Sequence, residues 1–167
     1  SNMAIGTGAM GQTGGSTADG SNYNIAIGRD ALGGDWADAA SSNNIAIGVF
    51  CMDAVMNGAT YNVAMGYNSL SALTTGDSNT TIGTNSGGLL QTGERNTFIG
   101  NSAGYTTVDV DQAVCIGYNA GANANMTSDA DGTIAVGYDS LLNLTSGIGN
   151  VAIGSGSMAA NATSDFN

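Results

Sequence analysis

Apolar and small residues recur along this chain in a short block that is written nine times. Each block ends on a glycine, and the residue just before it is Ile, Val or Met in every case. The residue three before the glycine is β-branched or methionine, and the one two before is mostly small. The nine glycines, spaced 17 to 22 residues apart, are Gly6, Gly28, Gly48, Gly66, Gly83, Gly100, Gly117, Gly137 and Gly154. A period of this length predicts a solenoid in which each block is one rung of a stack.

The apolar part of each block predicts a short β-strand. Alternate residues of a strand point to opposite faces, so Ile25 and Ile27 share one face while Ala26 takes the other. Both faces are apolar in nearly every block, which is typical of a strand buried on both sides. Because a coil of this size has one interior, we expect the face of small residues to pack against another copy of the chain.

Polar residues mark the rest of each coil. Four residues before the glycine stands an asparagine in seven blocks, with Ala113 and Thr133 as the exceptions. This regularity predicts an asparagine ladder, each amide bonding to the ones above and below it, and the alternative is a solvated turn residue. Gly76, Gly93 and Gly147 each lie three residues before a repeat asparagine and indicate a turn that closes the coil.

These patterns together predict an all-β fold: a parallel β-solenoid of nine coils of about 17 to 22 residues. We expect residues 1–167 to form a single repeat domain and to be part of a longer fibrous protein, with residues 1–3 left by a cleaved tag. Helix should be almost absent.

Charge narrows the classes of partner. The chain has 13 acidic residues, two arginines, no lysine and no histidine, so its formal net charge is -11. Binding to nucleic acid needs clustered Lys and Arg, so this charge argues against it. It also disfavours an anionic membrane surface, and the chain has no apolar run long enough to span a bilayer.

The blocks N-x-A-I-G-x-x-A-L and T-T-G-x-x-N resemble the repeat of phage tail-fibre proteins. They are also similar to the head of trimeric autotransporter adhesins, in which each chain winds a left-handed parallel β-roll and three rolls form a trimer. The longer period and the T-T-G turn favour the fibre. The resemblance implies a parallel homotrimer, a structural or adhesive role in a virion tail fibre, and no catalytic site. The alternative is a bacterial cell-surface adhesin.

Two classes of enzyme are alternatives to this interpretation. The I-G-x-x-A motif also matches the hexapeptide repeat of left-handed β-helix acyltransferases. Only one hexapeptide per coil fits, however, and those enzymes use a histidine general base that this chain lacks. A tailspike depolymerase would need paired carboxylates in a cleft. We therefore expect no enzyme activity.

Three aromatic residues are candidates for binding a cell-surface glycan. Trp36 lies in an acidic insertion and could stack on a sugar ring, or it could fold back over a coil edge. Tyr118 and Tyr138 follow the repeat glycine in adjacent coils, as Tyr67 does further up the chain. They could form a sugar platform, or an aromatic stack that stabilises the rungs. A protein receptor is the other partner that such a surface would fit.

Four aspartates form a candidate metal site. Asp109 and Asp111 precede Gly117 by eight and six residues, and Asp129 and Asp131 hold the same places before Gly137. Adjacent coils would bring four carboxylates together, which is unfavourable without a cation or raised pKa values. Oxygen ligands suit Ca²⁺. The alternative is that the insertion after Gly121 swings one pair away and leaves ordinary turn aspartates.

The two cysteines test the register. Cys51 lies three residues after Gly48, and Cys115 lies two residues before Gly117. The two cysteines are therefore four rungs apart, which is about 19 Å along the axis of the solenoid. That distance exceeds the reach of a disulfide, so both should be free thiols. Because Cys115 takes the small-residue position, we expect its copies to approach one another in a trimer.

Overall fold

The computed structural model describes residues 1–11, 20–37, 39–123, 126–160, 163 and 165. Within them the regular structure is nine three-residue strands and one turn of 3-10 helix, Ser128–Ala130. The strands are β1 Met3–Ile5, β2 Ile25–Ile27, β3 Ile45–Ile47, β4 Val63–Met65, β5 Thr80–Ile82, β6 Thr97–Ile99, β7 Val114–Ile116, β8 Ile134–Val136 and β9 Val151–Ile153.

The nine strands form one parallel sheet whose order follows the chain. Each strand pairs with the next in the register that the repeat glycines predict, so Ala26 lies beside Ala46 and Thr81 beside Phe98. Every strand therefore belongs to a separate coil, and consecutive coils stack directly. The predicted fold class, an all-β parallel solenoid with almost no helix, is confirmed.

The inner and outer faces of the strands are the reverse of those expected. From β2 to β9 the central residue is buried inside the solenoid, while its two neighbours are half-buried or exposed on the outside. The prediction that the small residues form the outer contact face was wrong. A coil of 17 residues encloses a narrow interior, and a small residue fits there opposite the side chains of the turn.

Volume inside the coil is shared between the central strand residue and the residue four after the glycine. Ala64 lies in the same coil as Leu70, whereas the bulky Phe98 lies in the same coil as Gly104. A Cβ added to Gly104 would come within 2.8 Å of the Phe98 ring. The interior therefore keeps nearly constant volume from rung to rung, as close packing requires.

The turn after each strand also bonds to both neighbouring coils. Asn68 and Leu70 have left-handed backbones, with φ of 54° and 50°. The Asn68 N–H donates to Val49 O of the preceding coil at 3.1 Å, and the Leu70 N–H donates to Ser86 O of the following coil at 3.0 Å. The Ser69 N–H between them donates to Gly66 O of its own coil, so the turn gives each of these N–H groups an acceptor without a second sheet.

The repeat glycine is required by contact between coils. Gly28 has φ of +132°, and a Cβ there would lie 2.5 Å from the carbonyl oxygen of Gly48. No other residue type fits so close to the backbone of the next rung.

The predicted asparagine ladder is confirmed. Asn79 is fully buried, and both its N–H and its Nδ2 donate to Asn62 Oδ1, at 2.9 and 3.1 Å. Its Nδ2 also donates to Gly93 O at 2.8 Å, which ties the strand to the turn that closes the coil. The ladder ends at Ala113, whose N–H donates to Asn96 Oδ1 at 2.9 Å.

Candidate functional site

The outer face of the sheet is an apolar strip that runs the length of the solenoid. It is formed by the first and third residues of every strand, of which all but Thr80 and Thr97 are Ile, Val or Met. Six of these side chains are exposed, from 39% at Ile82 to 70% at Ile153 in the last rung, and the other twelve are half-buried. Nine rungs at about 4.8 Å make the strip roughly 38 Å long between its end strands. A continuous apolar surface of this extent is typical of an interaction site.

Acidic residues are absent from the part of every repeat that carries this strip. We define the strand block as the seven residues from five before to one after the repeat glycine. All 13 acidic residues of the chain lie outside the nine strand blocks, and both arginines, Arg29 and Arg95, lie inside them. A chain of net charge -11 therefore presents one strip that carries no carboxylate of its own, and the nearest acids lie just outside its edges, as Asp131 and Asp139 do in the β8 rung.

The two edges of the strip carry exposed aromatic and cationic side chains. The leading edge, five residues before the glycine, carries Tyr23 and Tyr61, which are 67% and 63% exposed. Both have left-handed backbones, with φ of 62° and 59°, a costly conformation for a bulky residue. The trailing edge, one residue after the glycine, carries Arg29 and Tyr67.

Tyr118 and Tyr138 lie further along the trailing edge and stack on each other. Their ring centroids are 5.4 Å apart and the ring planes differ by 9°. Each ring therefore covers one face of the other, and the pair is stacked from coil to coil. This geometry fits an aromatic stack that stabilises the rungs, and since Tyr118 and Tyr138 remain 49% and 57% exposed, the sugar platform stays a prediction.

Trp36 is buried in the structure. Only 4% of it is exposed, its Nε1 donates to Leu32 O at 3.4 Å, and its backbone bridges to Met56 of the next coil. The ring thus covers the edge of a coil, as the alternative interpretation had it, and offers no face for stacking on a sugar.

The carboxylates of Asp111 and Asp131 accept hydrogen bonds from backbone N–H groups in the turn that precedes the strand. Asp111 Oδ1 accepts the N–H of Glu94, and Asp131 Oδ1 accepts the N–H of Asp111, both at 2.7 Å. Asp77 accepts the N–H of Thr60 in the same way. The side chains therefore link one coil to the coil before it, which is a structural reason for acids in this column.

The other two aspartates do not complete a metal site. Asp129 is exposed in the 3-10 turn, and Asp109 Oδ1 is buried with no hydrogen-bond partner among the described residues. Burial raises the pKa of Asp131, and the hydrogen bond from the Asp111 N–H opposes that rise. The neighbouring carboxylates of Asp111, Asp109 and Asp129 raise the pKa further. Across the described part of the chain, no three His, Cys, Asp or Glu side chains are placed to hold a metal ion.

Both cysteines are buried free thiols, as predicted. Burial raises the pKa of each to about 12. Cys115 points into the solenoid, so the expectation that its copies approach one another in a trimer was wrong, for the same reason that the small-residue face is the inner one.

The chain was compared with protein-family models, with curated proteins and with solved structures, and none of the three comparisons found a match. The fold itself defines the class: a parallel β-solenoid with one sheet. No helix in the described residues is long and apolar enough to cross a membrane.

Aligning the repeats on their glycines does not by itself reveal two features of this surface: the tyrosines at its edges, and the confinement of every acidic residue to positions outside the strand blocks. The signal was present in the sequence, because assigning every acidic residue to its place in the repeat shows that the strand blocks exclude them. The left-handed backbone of Tyr23 and Tyr61, in contrast, is visible only in the structure.

Proposed function

We propose that this chain is a structural segment of a homotrimeric fibre, in which three parallel copies pack their apolar strips against one another. The observation that supports this most strongly is the uncharged apolar strip on a chain that is otherwise acidic. A lone solenoid would leave the strip in water, whereas three copies around a common axis would bury it. Resemblance of the repeat to phage tail fibres, and to adhesin heads, supports the choice of three copies and a role in attachment.

The size of the strip is adequate for stable assembly. With both edges included, the strand block spans six residue steps, or about 20 Å, over a length of about 38 Å. This gives roughly 760 Å² per copy, close to the ~800 Å² that each partner buries in a standard interface. Arg29 and Arg95, both on its edges, are the charged residues within this area, so assembly would bury no carboxylate and the desolvation cost stays low.

The experiment is sedimentation equilibrium of the chain and of two variants. The unaltered chain should sediment as a trimer, and the double variant Ile27→Asp/Ile47→Asp should sediment as a folded monomer, because it places carboxylates on the strip in the β2 and β3 rungs. Leu89→Asp is the matched control, since Leu89 is 41% exposed but lies outside the strand blocks, and it should stay trimeric. A stable monomer of the unaltered chain would contradict the proposal.

A further inference from the structure

The edge residues of the strip identify which side chains of neighbouring copies would meet. This step rests on the proposed assembly of parallel copies. In a closed ring around one axis the contact is heterologous, so the leading edge of one copy adjoins the trailing edge of the next. Parallel copies at equal height place the same rung on both sides of that contact.

On three of the nine rungs the residues at the two edges suit each other in size or in chemistry. In the β4 rung the leading edge carries Tyr61 and the trailing edge Tyr67, and in the β2 rung they carry Tyr23 and Arg29. In the β8 rung, the large Tyr138 would face the small Gly132. An antiparallel or shifted arrangement would lose these pairs.

The backbone at the leading edge is a second observation that points to a partner. A left-handed backbone at a bulky side chain costs about 1–2 kcal/mol, and such strain is concentrated at functional sites. The rings of Tyr23 and Tyr61 are 67% and 63% exposed, and neither makes a hydrogen bond or a ring contact within the described residues, so packing in a single chain offsets little of that cost. Glycine occupies the same position at Gly132 and Gly149, so the fold does not require tyrosine there.

The trailing edge is already arranged to receive an aromatic ring. The Arg29 guanidinium lies 4.6 Å from the centroid of the Phe50 ring, and Phe50 packs edge-on against Tyr67 at 6.0 Å. The side chain of Arg29 is nevertheless 57% exposed, and Tyr67 is 49% exposed. A cation and an aromatic ring are both good partners for tyrosine.

We propose that Tyr61 of one copy packs on Tyr67 of the next, and Tyr23 on Arg29, so that these two contacts fix a parallel, in-register assembly of this chain with itself. The partner is a second copy because the contact needs the same rung spacing on both sides, a surface free of acids, and the matching pairs of edge residues.

Disulfide trapping tests the pairing directly. Cys51 and Cys115 are buried and should not react, so new thiols report cleanly. Tyr61→Cys/Tyr67→Cys should form covalent trimers on mild oxidation, seen on a non-reducing gel. The two positions lie roughly 20 Å apart in one chain, beyond disulfide reach, so a bridge must join two copies. The matched control Tyr61→Cys/Tyr118→Cys places its thiols about 14 Å apart along the axis and should not cross-link.

Tyr61→Gly separates assembly from stability. Glycine suits the left-handed backbone, so the isolated chain should unfold at an equal or higher temperature, while the dissociation constant of the assembly should rise about fivefold or more. An assembled trimer that fails to cross-link at positions 61 and 67, or that cross-links equally in the control, would overturn the pairing and leave the proposed fibre segment standing. A chain that does not assemble at all would overturn both.

Discussion

The two faces of each strand are both apolar, yet they differ in what covers them. On β6 the central residue, Phe98, is fully buried, and the glycines of two adjacent coils leave room for its ring. Its neighbour Ile99 lies on the outer strip and is only partly covered. The inner face is complete within one chain, whereas the outer face of a single chain stays partly open to solvent. Apolar character alone therefore does not distinguish a core from an interface, but the fit of the neighbouring residues does.

Phe98→Ala should have the largest effect and acts on the inner face. Loss of this buried ring leaves a cavity bordered by Gly87 and Gly104, which have no side chain to fill it, so we expect a loss of about 3–5 kcal/mol of unfolding free energy. Chemical denaturation measured at a concentration low enough to keep the chain monomeric gives this value. Ile99→Ala is the matched control on the same strand and should cost the monomer far less while weakening assembly. Equal losses in the two variants would erase the distinction between the faces.

Asn79→Ala should have the next largest effect and acts on the ladder beside the inner face. The change removes the donor to Gly93 O and the acceptor for the Asn96 N–H, and it leaves these buried groups without partners. Each unsatisfied group costs about 1–3 kcal/mol, so a loss of about 2–4 kcal/mol is expected. Ser78→Ala, one residue earlier at the leading edge, is the control. A loss below 1 kcal/mol in Asn79→Ala would mean that the ladder is not needed to hold the coils together.

Asp131→Asn should have the smallest effect and acts away from both faces. The pKa of Asp131 is raised in the fold, so its charged form is disfavoured there and stability falls as pH rises through the range above the ordinary pKa of 3.8. Asparagine keeps an acceptor for the Asp111 N–H but carries no charge. We expect a gain of a few tenths of a kcal/mol at pH 7, because solvent screens the charge of a carboxylate that is only partly buried, and no gain near pH 3. Thermal melts at the two pH values measure it, and a stabilisation that is equal at both would rule out a charge effect.

The sequence predicts well how each strand aligns with the next, because a glycine follows every strand. From Gly6 to Gly137 a side chain on the glycine would collide with the backbone of the next coil, and Gly154 continues the same period, so the nine glycines locate every strand. Which face lies inside could not be read from alternation, since Ile25 and Ala26 satisfy the hydrophobic pattern equally well. Size decides it, through the narrow interior of the coil.

The acids show a similar limit. Their shared place in the repeat was visible, and Asp111 and Asp131 do lie in one column. The sequence could not show that a backbone N–H of the preceding coil lies within reach of each carboxylate. That hydrogen bond depends on the path of the turn, which is set by left-handed residues that no propensity rule would place at Tyr61 or Arg95.

Within the described residues each coil bonds to the coils directly above and below it, so the response of a single chain to tension along its axis is stepwise. Pulling on the two ends loads the bonds of one rung at a time, starting at an end. A rung that detaches releases about 17 residues, or roughly 58 Å of extended chain, in place of about 4.8 Å of folded length. Neighbouring copies packed on the strip would resist this peeling, so a bundle would bear loads that unravel a lone solenoid.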